Sequence, residues 1–180
     1  MVLKLKEVID AFNYDKTSVE EVLSTFEAVS SPSKDDVESF LKNKAFDMEN
    51  KGQSVTYLML NDKKLKENKF VIDGYFTLAI KAFEFCDNLS KNGRCRISGK
   101  SDNFVPAFLI GQLAKSTSAS HGFGRELLMQ AIIHIRQAIQ IVGGRLIYLD
   151  CKDELVSYYE QNGFKLLQKQ KDLNQMYLVV

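Results

Sequence analysis

This chain of 180 residues has few cysteines, no long apolar run and no large excess of positive or negative charge. Its cysteines, Cys86, Cys95 and Cys151, are three in number and show no Cys-x-x-Cys spacing. This pattern argues against a disulfide framework and against a zinc site. We therefore assign no chemistry to the cysteines and expect no bound metal.

No apolar run approaches the roughly 20 residues that are needed to span a bilayer. Residues 1–6 also lack the long apolar core of a signal peptide, so the sequence predicts a cytoplasmic protein without a membrane partner. The formal net charge of +1 gives no overall attraction for nucleic acid, although a local basic surface is compatible with it. The length suffices for one substantial core, and we predict a single domain.

The succession of apolar patterns predicts an α/β fold. Near the N-terminus, residues 2–8 alternate like a strand, and helices are predicted over residues 19–29 and 34–50, with Ser18 and Ser33 as caps. The following patterns predict a hairpin of residues 55–60 and 69–83 around a polar connection, and then a polar loop over 86–103, with or without a short helix. A strand is predicted over 105–115, a long helix up to residue 142, a strand over 146–151, a short helix capped by Asp153, and strands over 164–168 and 176–180.

Two glycines, Gly122 and Gly124, stand between a predicted strand and the strongly apolar-periodic long helix. Glycine lets successive backbone N–H groups converge on one ligand, and the positive end of the helix dipole adds attraction for an anion. The pattern predicts a phosphate-binding loop for a nucleotide-like cofactor. Two other readings are a tight turn without a ligand and a dinucleotide-binding loop, although Leu127 stands where the latter has its third glycine.

A second motif, residues 159–164 with the sequence Tyr-Glu-Gln-Asn-Gly-Phe, follows later in the chain. Together the two motifs resemble those of the GNAT acetyltransferase superfamily, whose hallmarks are a Gln/Arg-x-x-Gly-x-Gly/Ala loop and a Tyr-x-x-x-Gly-Phe turn. Residues 106–114, and residues 40–45 followed by 54–57, resemble more narrowly the GNAT toxins of toxin–antitoxin pairs. The resemblance covers roughly residues 33 to 180.

The resemblance implies a mixed, mostly antiparallel twisted sheet with splayed central parallel strands, flanked by helices. It implies that residues 1–32 form an N-terminal strand and helix, and that residues 105–180 form the acetyl-CoA-binding and catalytic half. The implied reaction transfers an acetyl group from acetyl-CoA, as co-substrate, to a primary amine.

The motifs also imply roles for individual residues. The backbone N–H of Leu113 would polarise the thioester carbonyl, and Tyr159 would protonate the departing CoA thiolate. The alternative is that Tyr159 is an aromatic residue of the core and has no catalytic role. The implied cofactor-binding residues are Leu113, Ala114, Lys115, Ala119, Ser120, His121, Gly122, Phe123, Gly124, Arg125 and Asn162.

The loop departs from the family pattern at two positions. Ala119 stands where the pattern has Gln or Arg, and Ser120 stands where a glycine is common. Backbone N–H groups need no particular side chain, so we expect cofactor binding to persist. The departures nevertheless keep a non-catalytic acyl-CoA-binding module among the hypotheses.

No general base stands out in the sequence. A lysine amine, with a pKa of about 10.4, is almost wholly protonated at pH 7, whereas an α-amine with a pKa of about 7.7 to 8.0 keeps a usable neutral fraction. This difference in pKa favours an α-amine as the acceptor. A toxin that acetylates aminoacyl-tRNA and has an antitoxin partner is therefore a further hypothesis. A homodimer through the later strands is a further expectation.

Overall fold

The structure is a computed structural model that describes residues 1–31, 33–67, 69–85, 89–99 and 101–180. Its contacts divide the chain into two compact units. Unit 1 comprises Met1–Leu78 and Gln112–Ala131, and unit 2 comprises Ala79–Gly111 and Ile132–Val180. The prediction of one domain stays a prediction, and Cys86 lies outside the described residues.

Seven strands form one sheet. They are β1 (Val2–Lys4), β2 (Val55–Leu60), β3 (Ile72–Glu84), β4 (Phe104–Lys115), β5 (Leu146–Cys151), β6 (Lys165–Gln170) and β7 (Leu173–Val179), in the order β1-β2-β3-β4-β5-β7-β6. Strand β2 is antiparallel to β1 and β3, β7 is antiparallel to β5 and β6, and β4 and β5 are the parallel pair. The predicted α/β fold with a mostly antiparallel sheet is confirmed.

The parallel ladder between β4 and β5 is short. It consists of Phe108 paired with Ile147 and Leu109 paired with Tyr148, although each strand is longer than this ladder. A short ladder between two longer parallel strands agrees with the predicted splay.

The helices are α1 (Leu5–Ala11), α2 (Lys16–Ser24), α3 (Lys34–Asn43), α4 (Ala45–Asn50), α5 (Asp62–Lys66), α6 (Lys91–Ser98), α7 (Phe123–Val142) and α8 (Val156–Gln161), the last preceded by a 3-10 turn at Asp153–Leu155. Within the described ranges, none of them is long and apolar enough to cross a membrane.

The N-terminal predictions were partly wrong. Strand β1 ends at Lys4 and α1 follows directly, because residues 5, 8 and 9 are buried at helical spacing. The cap of α2 is Asp15, whose carboxylate accepts a hydrogen bond from the Ser18 N–H at 3.3 Å. Ser18 therefore lies inside the helix, and the helix ends five residues earlier than the apolar pattern predicted.

The predicted helix over residues 34–50 is two helices. The helical conformation is interrupted at Lys44, where φ is −124°, and α4 starts at the next residue. The Ser33 side chain makes no capping hydrogen bond. The polar connection of the hairpin contains α5, capped by the Asn61 side chain, which accepts from the amides of residues 63 and 64. The predicted polar loop contains α6, while residues 86–88 and 100 lie outside the described residues.

Each unit has its own apolar core. In unit 1 the Tyr75 hydroxyl, on β3, donates to the Val37 carbonyl at 2.6 Å, and its ring stacks on that of Phe40, which fixes α3 on the sheet. Burial raises the pKa of Tyr75. In unit 2 the core contains Phe83, Phe85, Ile97, Val105, Ala107, Leu146 and Tyr148.

The carboxylate of Glu49, in α4, completes the outer edge of β2. The pairing of β1 with β2 ends at Lys4 and Tyr57, and the next amide of β2, that of Thr56, donates to Glu49 Oε2 at 2.7 Å. Burial raises the pKa of Glu49, although this hydrogen bond and the nearby charges of Lys4 and Lys6 oppose the shift. The partly buried carboxylate of Glu49 therefore supplies the hydrogen-bond acceptor that a neighbouring strand would otherwise provide.

Two substitutions at Glu49 should separate the effect of its hydrogen bond on stability from the effect of its partly buried charge. Glu49→Ala leaves the buried Thr56 amide without an acceptor and should lower the free energy of unfolding by about 1–3 kcal/mol. Glu49→Gln keeps an acceptor oxygen and removes the desolvated charge, so it should be at least as stable as the wild type at pH 7. Because the folded-state pKa is raised, this advantage should vanish as the pH falls towards 4.5, the ordinary value. Urea unfolding at several pH values measures it, and a glutamine variant as unstable as the alanine variant would contradict the account.

Candidate functional site

The predicted phosphate loop is a turn that ends on the start of α7. Gly122 has φ of +83°, in the left-handed region that favours glycine, and α7 begins at the next residue, Phe123. A Cβ built on Gly122 would have no heavy atom within 4 Å, and this glycine is exposed. The turn therefore needs glycine for its conformation and is open above it.

Several backbone amides at this helix start are available to a ligand. Within the described chain, the N–H groups of His121, Gly122 and Gly124 have no hydrogen-bond acceptor. Those of Phe123 and Arg125 donate to carbonyls inside the turn, at 3.3 Å and 3.0 Å. Three of the five amides of residues 121–125 are thus free donors at the positive end of a 20-residue helix.

Gly74, in β3, lets α7 approach the sheet closely. A Cβ at this position would lie 2.9 Å from the Ala114 carbonyl oxygen and 2.9 Å from the Phe123 ring. The strand and the first turn of the helix therefore meet at a spacing that only glycine permits. Sequence reasoning missed this residue, although an isolated glycine within a strand is a signal of close backbone approach.

A polar cluster fixes the chain between β4 and the loop. The Ser118 hydroxyl donates to the Asp73 carboxylate at 3.4 Å, and the Asn61 amide donates to the same oxygen at 3.2 Å. The Ser116 and Ser118 hydroxyls lie 3.0 Å apart, and the Ser118 N–H donates to Ser116 Oγ at 3.2 Å. The chain that follows β4 thus bonds to itself and to Asp73, near the start of β3.

The backbone of β4 and the residues after it has two opposite edges. The Ser116 N–H donates to the Asp73 carbonyl of β3 at 2.8 Å. Successive residues of an extended chain direct their backbone groups to opposite edges, so Lys115 and Thr117 face away from β3. Leu113 has the same alternation as Lys115. The N–H of Leu113 therefore lies on the edge that faces away from β3, as an oxyanion donor beside a splayed strand would.

The other loop residues expected to bind cofactor are close in sequence and differ in exposure. Ser120 and Arg125 are exposed, as is His121, whereas Lys115 is half-buried. Ala119 is half-buried, and its N–H donates to the Ser116 carbonyl at 3.2 Å. Ala114 is buried in the core of unit 1, and by the same alternation its backbone faces β3, as that of Ser116 does.

In unit 2, Tyr159 occupies the buried side of α8. Its ring makes edge contacts with Phe164, at a centroid distance of 5.8 Å, and with Tyr158, at 5.1 Å. Gly163 has φ of +89°, and the turn it makes lets the Phe164 N–H donate to the Tyr159 carbonyl at 3.1 Å. The Tyr-x-x-x-Gly-Phe motif is therefore a helix end that folds its phenylalanine back onto its tyrosine.

Burial controls the ionisation of two groups near the end of β5. It raises the pKa of Tyr159, and Tyr158 and Cys151 add to the shift. The Tyr159 hydroxyl thus stays protonated at neutral pH. Burial, together with Asp150 and Asp153, raises the pKa of the Cys151 thiol to about 11. A thiol that is neutral at pH 7 is a poor nucleophile, in accord with a cysteine that has no chemical role.

Asn162 has a structural contact of its own. Its side-chain amide donates to the Tyr158 carbonyl at 2.8 Å, and its N–H donates to the Tyr159 carbonyl at 3.0 Å. These bonds cap the C-terminus of α8. The role of Asn162 in cofactor binding stays a prediction.

No protein-family model matches the sequence, and no curated protein matches it. Solved structures do match. AtaT complexed with acetyl-methionyl-tRNAfMet is 19% identical, with 87% of this chain and 86% of that chain covered and a TM-score of 0.69. A KacT mutant with tyrosine changed to phenylalanine is 18% identical, with 99% and 94% covered and a TM-score of 0.73.

A third match is an AtaT toxin with tyrosine changed to phenylalanine, bound to the C-terminus of the antitoxin AtaR and to acetyl-CoA. It is 17% identical, with 87% of this chain and 84% of that chain covered and a TM-score of 0.63. At such identities, structural similarity establishes the fold. The chain has the fold of the GNAT toxins, which confirms at the level of the fold the resemblance seen in its sequence.

Proposed function

We propose that this chain is an N-acetyltransferase that moves an acetyl group from acetyl-CoA to a primary amine by direct attack of the amine. When bound, acetyl-CoA supplies an activated thioester. The observation that carries the proposal is the set of three free amides at the N-terminus of α7, those of His121, Gly122 and Gly124. Such amides, with the helix dipole, suit a pyrophosphate.

Two chain segments would hold the reacting end of the substrate. The edge of β4 that faces away from β3 offers the backbone of Leu113 to the pantetheine arm, and the Leu113 N–H would donate to the carbonyl oxygen as negative charge develops there. The exposed side chains of His121 and Arg125 lie next to the free amides and would add polar contacts to the phosphates.

We assign the role of general acid to Tyr159. Its raised pKa keeps the hydroxyl protonated, which is the state that can donate to a departing sulfur. The attacking amine loses one proton as the amide forms and the sulfur gains one, so the proton balance closes. Structures of tyrosine-to-phenylalanine mutants of both KacT and AtaT are known, which directs attention to a tyrosine in this fold.

An aminoacyl-tRNA is the acceptor favoured by a specific observation, because AtaT of the same fold is complexed with acetyl-methionyl-tRNAfMet. Chemistry points the same way, since an α-amine with a pKa of about 7.7 to 8.0 is partly neutral at pH 7. We propose such a substrate as the more specific form of the function. By analogy with AtaT and AtaR, the same form implies a protein antitoxin as partner.

The test is isothermal titration with acetyl-CoA, followed by acetyl transfer to a panel of amines and aminoacyl-tRNAs that is read by mass spectrometry. We expect binding with a Kd of roughly micromolar size, about 8 kcal/mol, and acetylation of at least one acceptor. A preference for aminoacyl-tRNA as the acceptor would support the proposal that the chain is a toxin. Binding without turnover of any acceptor would instead indicate a non-catalytic acyl-CoA-binding module, and absence of binding would overturn the proposal.

We also keep the homodimer as a proposal. Strand β6 is the last strand of the sheet, and its pairing with β7 leaves its other edge without a strand in the described chain. Sedimentation at several protein concentrations would reveal it.

A further inference from the structure

The segment Glu27–Val29, here called the crossing segment, pairs with the chain just after β4. The Val29 N–H donates to the Lys115 carbonyl at 3.1 Å, and the Thr117 N–H donates to the Glu27 carbonyl at 2.9 Å. Between them, Ala28 forms an antiparallel bridge with Ser116. Both partners belong to unit 1, so the N-terminal 30 residues help to build the start of the loop.

The crossing segment covers one defined edge of the chain. Lys115 and Thr117 direct their backbone groups away from β3, on the edge that also carries the backbone of Leu113. The Lys115 carbonyl and the Thr117 N–H are therefore already occupied, whereas the Leu113 backbone and the Lys115 N–H remain on that edge. An extended ligand paired along β4 has to leave it at Lys115, where the chain turns towards Gly122.

A carboxylate from α3 holds the crossing segment in place. Glu38 Oε1 accepts the Ala28 N–H at 2.8 Å, and Glu38 Oε2 lies 3.4 Å from Lys42 Nζ. Lys34 Nζ lies 3.8 Å from Oε1. Burial opposes ionisation of Glu38, but the Ala28 N–H and the two lysines outweigh it and hold the pKa of its carboxyl below the ordinary value.

The helix that carries Glu38 is attached to the sheet. Val37, the neighbour of Glu38, accepts the hydroxyl hydrogen bond of the buried Tyr75, so α3 is tied to β3. On the other edge, the Asp73 carbonyl of β3 holds Ser116. The residues that precede the loop are thus held on both edges. On one edge they bond directly to β3, and on the other they bond to the crossing segment, which α3 connects to β3.

We infer that Glu38 is a positioning residue for the cofactor: through Ala28 it fixes the crossing segment, which sets where the pantetheine arm leaves β4 and how the amides of the loop are presented. This inference rests on the proposed function. Glu38 itself touches no substrate. It acts through the backbone of the crossing segment, and Lys34 and Lys42 keep it charged.

The experiment compares Glu38→Ala with Glu38→Gln. The alanine variant removes the acceptor of the Ala28 N–H, and its Kd for acetyl-CoA should rise about tenfold, the effect of one lost hydrogen bond that orders the site. Hydrogen exchange at the amides of Val29 and Thr117 should accelerate in parallel. The glutamine variant keeps an acceptor oxygen and should stay within about threefold of the wild type in both measurements.

Two further variants keep the test decisive. Glu20→Ala removes another helix glutamate that lies 3.7 Å from a lysine one turn away, and it should change neither Kd nor exchange. Val29→Pro removes the donor to Lys115 without touching Glu38, so it tests the crossing segment even if Glu38→Ala fails to fold. Its Kd should also rise about tenfold.

The inference is overturned if Glu38→Ala folds and binds acetyl-CoA as the wild type does, or if the glutamine variant loses binding as fully as the alanine variant. A wild-type protein that fails to bind acetyl-CoA would instead remove the proposed function. Exchange at Val29 and Thr117 would then still report whether Glu38 holds the crossing segment.

Discussion

Gly122→Glu should abolish acetyl-CoA binding while the protein stays folded. The substitution places a carboxylate among the three free amides that we propose bind the pyrophosphate. Two like charges 4 Å apart repel by roughly 4 kcal/mol at an effective dielectric constant of 20, which corresponds to a rise of roughly 1000-fold in Kd. Isothermal titration measures the loss directly.

The chain offers a closely matched control, Gly52→Glu. Gly52 also has a positive φ, +64°, is exposed, and has no heavy atom within 4 Å of an added Cβ. Both variants therefore carry the same new charge and a similar backbone strain of about 1–3 kcal/mol. Equal loss of binding in the two variants would trace the effect to strain or net charge. Unchanged binding in Gly122→Glu would move the pyrophosphate away from the loop.

Tyr159→Phe should lower kcat by roughly 10² to 10⁴-fold, the usual contribution of a positioned general acid. The phenylalanine keeps the ring contact with Phe164 and removes only the hydroxyl. We therefore expect the Kd for acetyl-CoA to stay within about threefold, since the missing group acts in the transition state. Single-turnover kinetics with a saturating acceptor would measure the change, once an acceptor is found.

Tyr158→Phe is the matched control for this prediction. Tyr158 adjoins Tyr159 on the same helix, and its backbone carbonyl, which Asn162 uses, is not altered. A loss of kcat in this control as large as in Tyr159→Phe would indicate a structural effect of either ring. Unchanged turnover in Tyr159→Phe would remove the general-acid assignment.

The same residue predicts the alkaline side of the pH profile. Because burial raises the pKa of Tyr159 above the ordinary tyrosine value of 10.0, the acid remains protonated as the pH rises through 8 and 9. The kcat of the wild type should therefore not fall in this range through loss of the Tyr159 proton. A decline that is present in the wild type and absent from Tyr159→Phe would contradict the raised pKa.

The motifs that carry function could be predicted because they are local. A turn that requires positive φ selects glycine at that position, so Gly122 and Gly163 signal their turns directly in the sequence. The short motif that ends at Phe164 encodes its own ring contact with Tyr159. Strands β2, β4 and β5 were likewise predicted, since β-branched, aromatic and other apolar residues dominate each of them.

Helix limits at the N-terminus could not be predicted as well. The break at Lys44 and the early end of α2 do not interrupt the apolar stripe, because the residues on either side still face one core. The cap of α2 was misplaced because aspartate and serine three residues apart are both good caps, and only the observed bond selects Asp15.

The sequence by itself determined the α/β class, the place of the glycine turn before α7, and the glycine turn that ends α8, since each depends on neighbouring residues and their intrinsic conformations. Only the tertiary structure decided that Glu38 holds Ala28, that Glu49 closes the edge of β2, and that Gly74 admits α7. These contacts join separate elements of the fold. A polar or small side chain looks the same in sequence whether it faces water or a distant backbone group, so only the folded chain reveals which of them is used.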